Sequence, residues 1–197
     1  MEELQDYSGE FRPDLRMLDF SKEALLRLWI ATSKLYTGVD GIWMSMMRER
    51  FGDELACELD REVWTKRGTP LEFHRIREAM NIRGTDVAAL FKFFQIHPQL
   101  TGLEYEVEFD LKSQTHGIYT IKRCRSLEYF ERHREGKILK YVCQVIDKEA
   151  METTARLFDP NMEVTPLKLP PRESRDEVAC VWKFETRKNP PGSGSPT

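Results

Sequence analysis

The first half of the chain carries apolar residues at the spacing of an α-helix. Ser21 can serve as an N-cap, and Glu23 lies in the first turn that would follow. The pattern predicts a long helix over about residues 21–50, in which Gly38 and Gly41 either allow a bend or leave room for a close neighbour. Its main stripe recurs at alternating steps of three and four: Leu25, Leu28, Thr32, Leu35, Val39, Ile42 and Met46.

Shorter helices are predicted to follow the long one. A helix over residues 53–66 is expected to end at Gly68. Thr69 and Glu72 then have the spacing of a capping box, with proline at the first helical position, which predicts a new helix. The segment Gly84-Thr85-Asp86 is predicted to open another helix. The predicted core positions of the 53–66 helix are Leu55, Leu59 and Val63.

The period changes to two in the second half, which is typical of half-buried strands. Apolar residues alternate with acidic ones from Leu103 to Leu111, and a polar turn leads to a second strand over residues 118–124, so the two predict a hairpin. A strand over residues 162–169 contains Pro166, which favours a sheet edge. The inner face of the last strand is predicted at Val178, Cys180, Trp182 and Phe184.

These elements predict an α+β fold. N-terminal helices would pack on a small antiparallel sheet of about four strands, with a long helix over residues 142–158 between its two hairpin halves. The sequence has no glycine-rich dinucleotide motif and no P-loop. The predicted organisation is an N-terminal extension over 1–20, a single α+β domain over 21–186 (helical over 21–101, sheet plus helices over 102–186), and a disordered tail over 187–197.

Charge and composition narrow the classes of partner. The 30 Lys and Arg residues nearly balance 33 Asp and Glu residues, for a net charge of -3, which argues against a nucleic-acid binder. The acidic start lacks the pattern of a secretory signal, and Arg27, Lys34 and Asp40 interrupt the most apolar stretch, so no membrane span is expected. Four cysteines without a CxxC pair do not indicate a disulfide framework. We expect a cytoplasmic protein with reduced thiols.

A second face of the long helix has the composition of a pocket wall. Aromatic residues flank one carboxylate there, which would supply apolar surface for fit and one polar group for orientation. Burial of Asp40 against Trp43 would raise its pKa towards acid–base use. Alternatively, the face packs on neighbouring helices, with Asp40 bonded to a backbone amide or an arginine. The face comprises Trp29, Ser33, Tyr36, Asp40, Trp43 and Met47.

Three cysteines are candidates for a shared thiol site. Cys180 lies on the inner face of the last strand beside Trp182, and Cys143 lies on the helix face expected to point at the sheet. Converging thiols would suit zinc, iron or a nucleophile. Alternatively, they are small apolar core residues, because free cysteine is often buried. Cys124 joins them if the hairpin register turns it to the inner face.

That register depends on the residues paired near the hairpin turn. If Leu111 lies opposite Ile118, Cys124 shares a sheet face with Tyr105. The same register would turn Lys122 inward, which is unfavourable for a charged side chain. The histidines add little, since His97 precedes a proline at a helix end, where capping or packing is its ordinary role.

The main stripe of the long helix also approximates a heptad seam. A second copy of the chain could cover it, giving a homodimer. Alternatively, the later helices of the same chain bury it.

Several segments, spread over roughly residues 15–186, carry a resemblance to a known family. They are 35–43, 51–52, 59–64, 97–98, 123–124, 159–160, 170–171 and 180–184, together with Cys143. With these residues the chain resembles an uncharacterised prokaryotic family, similar to the L-2-amino-thiazoline-4-carboxylic acid hydrolase-like proteins. More remotely, its element order resembles 4-vinyl reductase domains, haem-based nitric-oxide sensors and TRAPP vesicle-tethering subunits.

The resemblance implies helices on an antiparallel sheet around a small or lipid-like ligand, often in a dimer. Asp40, Trp43, Asp60 and Trp64 match the family's helical signature. The cysteines at 124, 143 and 180 match its cysteine positions. The chain departs from the pattern at Cys124, which is followed by Arg-Ser where relatives often carry Pro-Pro, and it lacks a fourth cysteine in the 163–167 strand.

The sequence therefore predicts a sensor, carrier or accessory domain that binds a small molecule or a metal between helices and sheet. The possible metal, zinc or iron, would use Cys124, Cys143 and Cys180. The alternative is a hydrolase of a small cyclic amide-like or thiazoline substrate, with Cys143 or Cys180 as nucleophile and Asp40 as acid–base. A third hypothesis is a dimeric interaction module. The expected ligand-binding residues are Trp29, Tyr36, Asp40, Trp43, Asp60, Trp64, His97 and Trp182.

Overall fold

The computed structural model describes residues 3–101 and 105–186. It contains one antiparallel sheet in the order β1-β2-β4-β3, and helices cover it, so the predicted α+β class is confirmed. Leu103, the expected start of the first strand, and the predicted tail over 187–197 lie outside the described residues, as do residues 1–2 of the predicted extension. The strands are β1 (Tyr105–Ser113), β2 (His116–Cys124), β3 (Met162–Lys168) and β4 (Cys180–Thr186).

Two π-helical segments join α-helices into longer rods. Val63–Gly68 connects α2 to α3, and Val142–Ile146 connects α7 to α8. The α-helices are α1 (Lys22–Phe51), α2 (Asp53–Glu62), α3 (Thr69–Ala79), α4 (Val87–Gln95), α5 (Pro98–Thr101), α6 (Arg125–His133), α7 (Gly136–Tyr141) and α8 (Asp147–Phe158).

The long helix α1 begins where the sequence predicts. The Ser21 hydroxyl accepts a hydrogen bond from the backbone N–H of Ala24 at 3.2 Å, which caps the helix. Gly38 and Gly41 have no close neighbour among the described residues, because a Cβ built at either would meet nothing within 4 Å. The predicted burial of the next helix is wrong: its three apolar positions, Leu55, Leu59 and Val63, are exposed.

The predicted break at Gly68 is also wrong. Gly68 and Thr69 both have helical backbone angles, so Thr69 continues a helix instead of capping a new one. The reason lies in packing: a Cβ at Gly68 would come within 3.3 Å of the Trp64 ring. The glycine therefore makes room for an indole inside a helix and does not end one.

The core lies between the sheet and α4. Phe94 stacks on Tyr119 with ring centroids 5.2 Å apart, and Tyr119 stacks on Phe109 at 4.9 Å. Phe91 lies so close to β2 that a Cβ at Gly117 would be 2.6 Å from its ring. A glycine is required there because the helix approaches the strand this closely.

The hairpin register differs from the prediction and still turns Cys124 inward. Leu111 lies opposite Gly117, one residue from the predicted pairing. A β-bulge at Lys122 then shifts the register by one, so Cys124 lies opposite Tyr105. Lys122 stays on the outer face, where its ammonium lies 2.6 Å from the Glu108 carboxylate of β1. The bulge resolves the conflict between an inward thiol and an outward lysine.

The remaining strands agree with the prediction in their placement. β3 pairs only with β4 within the described sheet, so Pro166 lies on an edge strand as expected. Phe184 of β4 is completely buried and contacts Phe91 and Phe94 of α4. This places the start of β4, with Cys180, beside the second half of the rod formed by α7 and α8.

Candidate functional site

A cavity of about 100 Å³ lies between the sheet and the rod formed by α7 and α8. The structure brings Cys124, Cys143 and Cys180 to its wall, together with Trp182. Each comes from a different element: the end of β2, the π segment Val142–Ile146 and the start of β4. The sequence predicted these faces, although it could not show that the three thiols meet at one space.

Asp147 is the site residue that sequence reasoning missed. It lines the cavity as the first residue of α8, and its carboxyl group hydrogen-bonds with the Cys143 thiol one helical turn earlier. Burial raises the pKa of Asp147 to about 7. The signal was present in the sequence, because residues four apart share a helix face and Cys143 had already been assigned to the inner one.

The remaining wall is mainly apolar. Ile121 and Leu127 contribute from the sheet side and the start of α6, and Met151 contributes from α8. Two hydroxyls lie at one end, where the Tyr105 and Ser126 oxygens are 3.1 Å apart. The cavity thus combines an apolar surface with one carboxyl group and a few neutral polar groups, which is the usual composition of a small-molecule site.

The three thiols are held in their neutral form. The Trp182 indole N–H donates to the Cys180 sulfur at 3.1 Å, and the Leu127 backbone N–H donates to the Cys124 sulfur at 3.4 Å. Burial nevertheless raises the pKa of Cys124 to about 11. Burial also raises the pKa values of Cys143 and Cys180 well above the ordinary value. At neutral pH these groups are thiols, and therefore weak nucleophiles and weak metal ligands.

The described residues do not form a metal centre around these thiols. In residues 3–101 and 105–186, no group of three or more His, Cys, Asp or Glu side chains is arranged to hold a metal ion. The zinc or iron site expected at Cys124, Cys143 and Cys180 therefore finds no support. Sharing a cavity wall is a weaker condition than converging on one point at metal–sulfur bonding distance.

The predicted pocket wall on α1 forms a different cluster outside the cavity. Asp40 and Asp60 both hydrogen-bond with the indole of Trp64, so the partner of Asp40 is neither a backbone amide nor an arginine. Burial raises the pKa of Asp40. Burial, with the charges of Asp40 and Asp147, raises the pKa of Asp60 to about 7. The acidic cluster thus lies behind the cavity, close enough for Asp147 to influence it.

Other predicted ligand residues join helices to one another. The Tyr36 hydroxyl donates to one carboxylate oxygen of Glu72 at 2.5 Å, and Nε2 of His97 lies 3.4 Å from the other. The Trp29 indole N–H donates to the Thr101 hydroxyl at 2.9 Å. These contacts tie α1 to α3 and to the α5 region, and none of the three predicted side chains lines the cavity.

Trp43 does not form a pocket wall either. Its side chain is 59% exposed. The predicted burial of Asp40 against Trp43 is therefore wrong, and the aromatic neighbour of Asp40 is Trp64. Helical spacing placed the two residues on neighbouring faces but could not identify which face meets the rest of the chain.

No helix in the described part of the chain combines the length and the apolar character needed to cross a membrane. Neither a curated protein nor a solved structure matches the sequence. The comparisons thus provide no relative of the thiazoline hydrolase-like or 4-vinyl reductase kind. One family of unknown function (DUF6125) matches residues 18–186, which is most of the chain, and the protein belongs to that family.

Proposed function

We propose that the protein is a sensor, carrier or accessory domain that binds one compact molecule in the cavity beside Asp147. The observation that carries this proposal is a partly buried carboxyl group on an otherwise apolar and thiol-lined wall. Burial and the Cys143 thiol set the pKa of this carboxyl group, and no cationic side chain in residues 3–101 and 105–186 shifts it. A ligand with an N–H or ammonium donor would provide that partner.

The size of the cavity limits the ligand. Pockets for drug-sized molecules measure about 300–1,000 Å³, and an apolar cavity of about 150 Å³ holds benzene. A cavity of about 100 Å³ suits a molecule smaller than benzene unless the wall moves. Ile121, Leu127 and Met151 favour an apolar body, and Asp147 favours a basic nitrogen. A short branched aliphatic amine fits this description.

Binding explains the thiols better than covalent catalysis does. A cysteine nucleophile needs a depressed pKa, whereas burial raises the pKa of all three thiols at the cavity. Asp40, the expected acid–base group of the hydrolase hypothesis, does not line the cavity. The hydrolase hypothesis therefore has no specific observation in its favour.

The proposal places the protein in the cytoplasm. All four cysteines are free, and such thiols persist in a reducing compartment. The neutral thiols would serve as soft apolar surface around the ligand and not as reactive groups.

The proposal can be tested by comparing native and denatured mass spectra of protein mixed with an excess of isopropylamine, a branched amine smaller than benzene. We expect additional mass in the native state that is lost on denaturation. The Asp147→Asn variant should lose this mass, since the amide keeps the shape but removes the negative charge. Glu152→Gln is a matched control, because it makes the same change on α8 at a residue that does not line the cavity. Extra mass retained by Asp147→Asn would contradict the assigned role of Asp147.

A further inference from the structure

The long helix α1 presents its apolar stripe to solvent and its polar side to its own chain. Leu35, Val39 and Ile42 are 68%, 64% and 64% exposed. Ser33, on the opposite side, is 1% exposed, and Asp40 there reaches Trp64. This is the reverse of an ordinary amphipathic helix, which turns its apolar face to the core. The stripe is therefore not covered by the chain's own later helices.

The exposed stripe is long and contains no charged residue. Its positions follow the heptad repeat of helix–helix pairing over about two and a half repeats, with Thr32 at the one polar position. The charged residues Arg27, Lys34 and Asp40 fall between these positions on other faces. We call the stripe the α1 seam: Leu28, Leu35, Val39, Ile42 and Met46.

The flanks of the α1 seam have complementary sizes. Trp29, Tyr36 and Trp43 line one flank at intervals of seven residues. Small residues line the other flank at the same interval: Ala31, Gly38 and Ser45. The space beside Gly38 is open, since a Cβ there would meet nothing within 4 Å. In a pair of identical helices, the large flank of one can pack over the small flank of the other.

The exposed apolar area matches what a stable dimer needs. With about 200 Å² for a large side chain and about half of it exposed, the eight contributing side chains amount to roughly 800 Å². A typical monomer's largest apolar patch covers only about 300–600 Å². A stable interface buries about 800 Å² on each partner. The contributing residues on α1 are Leu28, Trp29, Leu35, Tyr36, Val39, Ile42, Trp43 and Met46.

We propose that the α1 seam is the docking surface for a second copy of this chain, which pairs α1 with α1. A second copy is favoured over a lipid surface because lipid contact does not require a heptad repeat, nor small residues opposite large ones. α1 packs mainly on α2 and α5 of its own chain, so its outer side remains available along its length. The pairing does not depend on the ligand proposed for the cavity.

The direct test is the mass of the wild-type protein in solution by sedimentation equilibrium. We expect a dimer at micromolar concentration. Leu35→Glu combined with Ile42→Glu should weaken the dimer at least about 100-fold, because each charge would be buried without a partner. The matched control is Leu167→Glu, at a leucine of β3 that is 54% exposed outside the seam, and it should leave the dimer intact. A wild-type monomer at high micromolar concentration would overturn the proposal, including one that binds lipid vesicles.

A labelling experiment covers the case in which the double variant fails to fold. A cysteine at Val39→Cys should react with a maleimide slowly at high protein concentration and quickly on dilution. A cysteine at Leu167→Cys should react quickly at both concentrations. Equal and fast labelling of both sites at high concentration would refute the seam, and it would leave ligand binding at Asp147 unaffected.

Discussion

Asp147 lies one helical turn after Cys143, and the carboxyl and thiol groups of the two residues hydrogen-bond at the wall of the cavity. Asp147 also raises the pKa of Asp60 by its charge, so it interacts both with a thiol at the cavity and with the acidic cluster of Asp40 and Asp60. The cavity therefore holds a carboxyl group with a pKa of about 7 beside three thiols that stay neutral at that pH.

The stability of the protein should fall as the pH rises from about 4 to about 7, because of Asp147. Its folded pKa is raised from 3.8 to about 7, so the folded state holds the proton more tightly than the unfolded state. Ionising Asp147 in the folded state lowers the free energy of unfolding. This loss is absent below about pH 4 and complete above about pH 7, where it reaches up to about 4 kcal/mol. Asp147→Asn should therefore stabilise the protein more at about pH 8 than at about pH 5, measured by urea unfolding. The Glu152→Gln control should show no such difference, and equal effects of Asp147→Asn at both pH values would contradict the raised pKa.

The native cysteines should resist alkylation. The pKa of Cys124 is about 11, and burial raises the pKa of the other three, so little thiolate exists near neutral pH. We expect no adduct with iodoacetamide on the folded protein and four adducts after denaturation, since the chain has four cysteines. Mass spectrometry would count them. Rapid modification of one native cysteine would revive the hydrolase hypothesis.

The close approach of α4 to β2 should make Gly117 intolerant of a side chain. Gly117→Ala would place a methyl group 2.6 Å from the Phe91 ring, and overpacking of this kind costs about 1–3 kcal/mol. Gly136→Ala is the matched control, because its Cβ would meet nothing within 4 Å and the residue begins α7. Urea unfolding should separate the two variants, and an equal free energy of unfolding for both would show that α4 does not lie this close to the sheet.

The indole of Trp64 should stabilise the acidic cluster when its carboxylates are charged. Trp64→Phe removes the N–H that bonds Asp40 and Asp60. We expect a loss of about 1–3 kcal/mol at about pH 8 and a smaller loss at about pH 5, where the carboxyl groups are more protonated. The comparison between pH values separates the lost hydrogen bond from the lost packing, which does not depend on pH. A loss of equal size at both would assign the effect to packing.

The sequence was informative where local chemistry decides the structure. Ser21 caps α1 as predicted, because a side-chain oxygen can reach a backbone N–H two or three residues later whatever the tertiary contacts are. Alternation in β4 correctly turned Cys180 and Trp182 inward. Pro166 lies on an edge strand because it lacks a backbone donor.

Tertiary packing decided the features that the sequence could not predict. Gly68 was expected to end a helix. It instead lies inside one, where the absence of a side chain leaves room for the Trp64 ring. The stripe through Leu35 was correctly assigned to a helix, but periodicity does not tell whether the chain itself or a partner covers it. Asp147 was missed because a single acidic residue in a charged sequence is conspicuous only once its neighbours are known.

The most direct test of the central claim is a calorimetric titration with isopropylamine, a branched amine that is smaller than benzene. With four non-hydrogen atoms at about 1.5 kcal/mol each, its dissociation constant can be no lower than about 40 μM. The account predicts saturable binding of one molecule to each chain, weakened at least about 10-fold in Asp147→Asn and unchanged in Glu152→Gln. Absence of saturable binding to the wild-type protein, or equal affinity in Asp147→Asn, would contradict it.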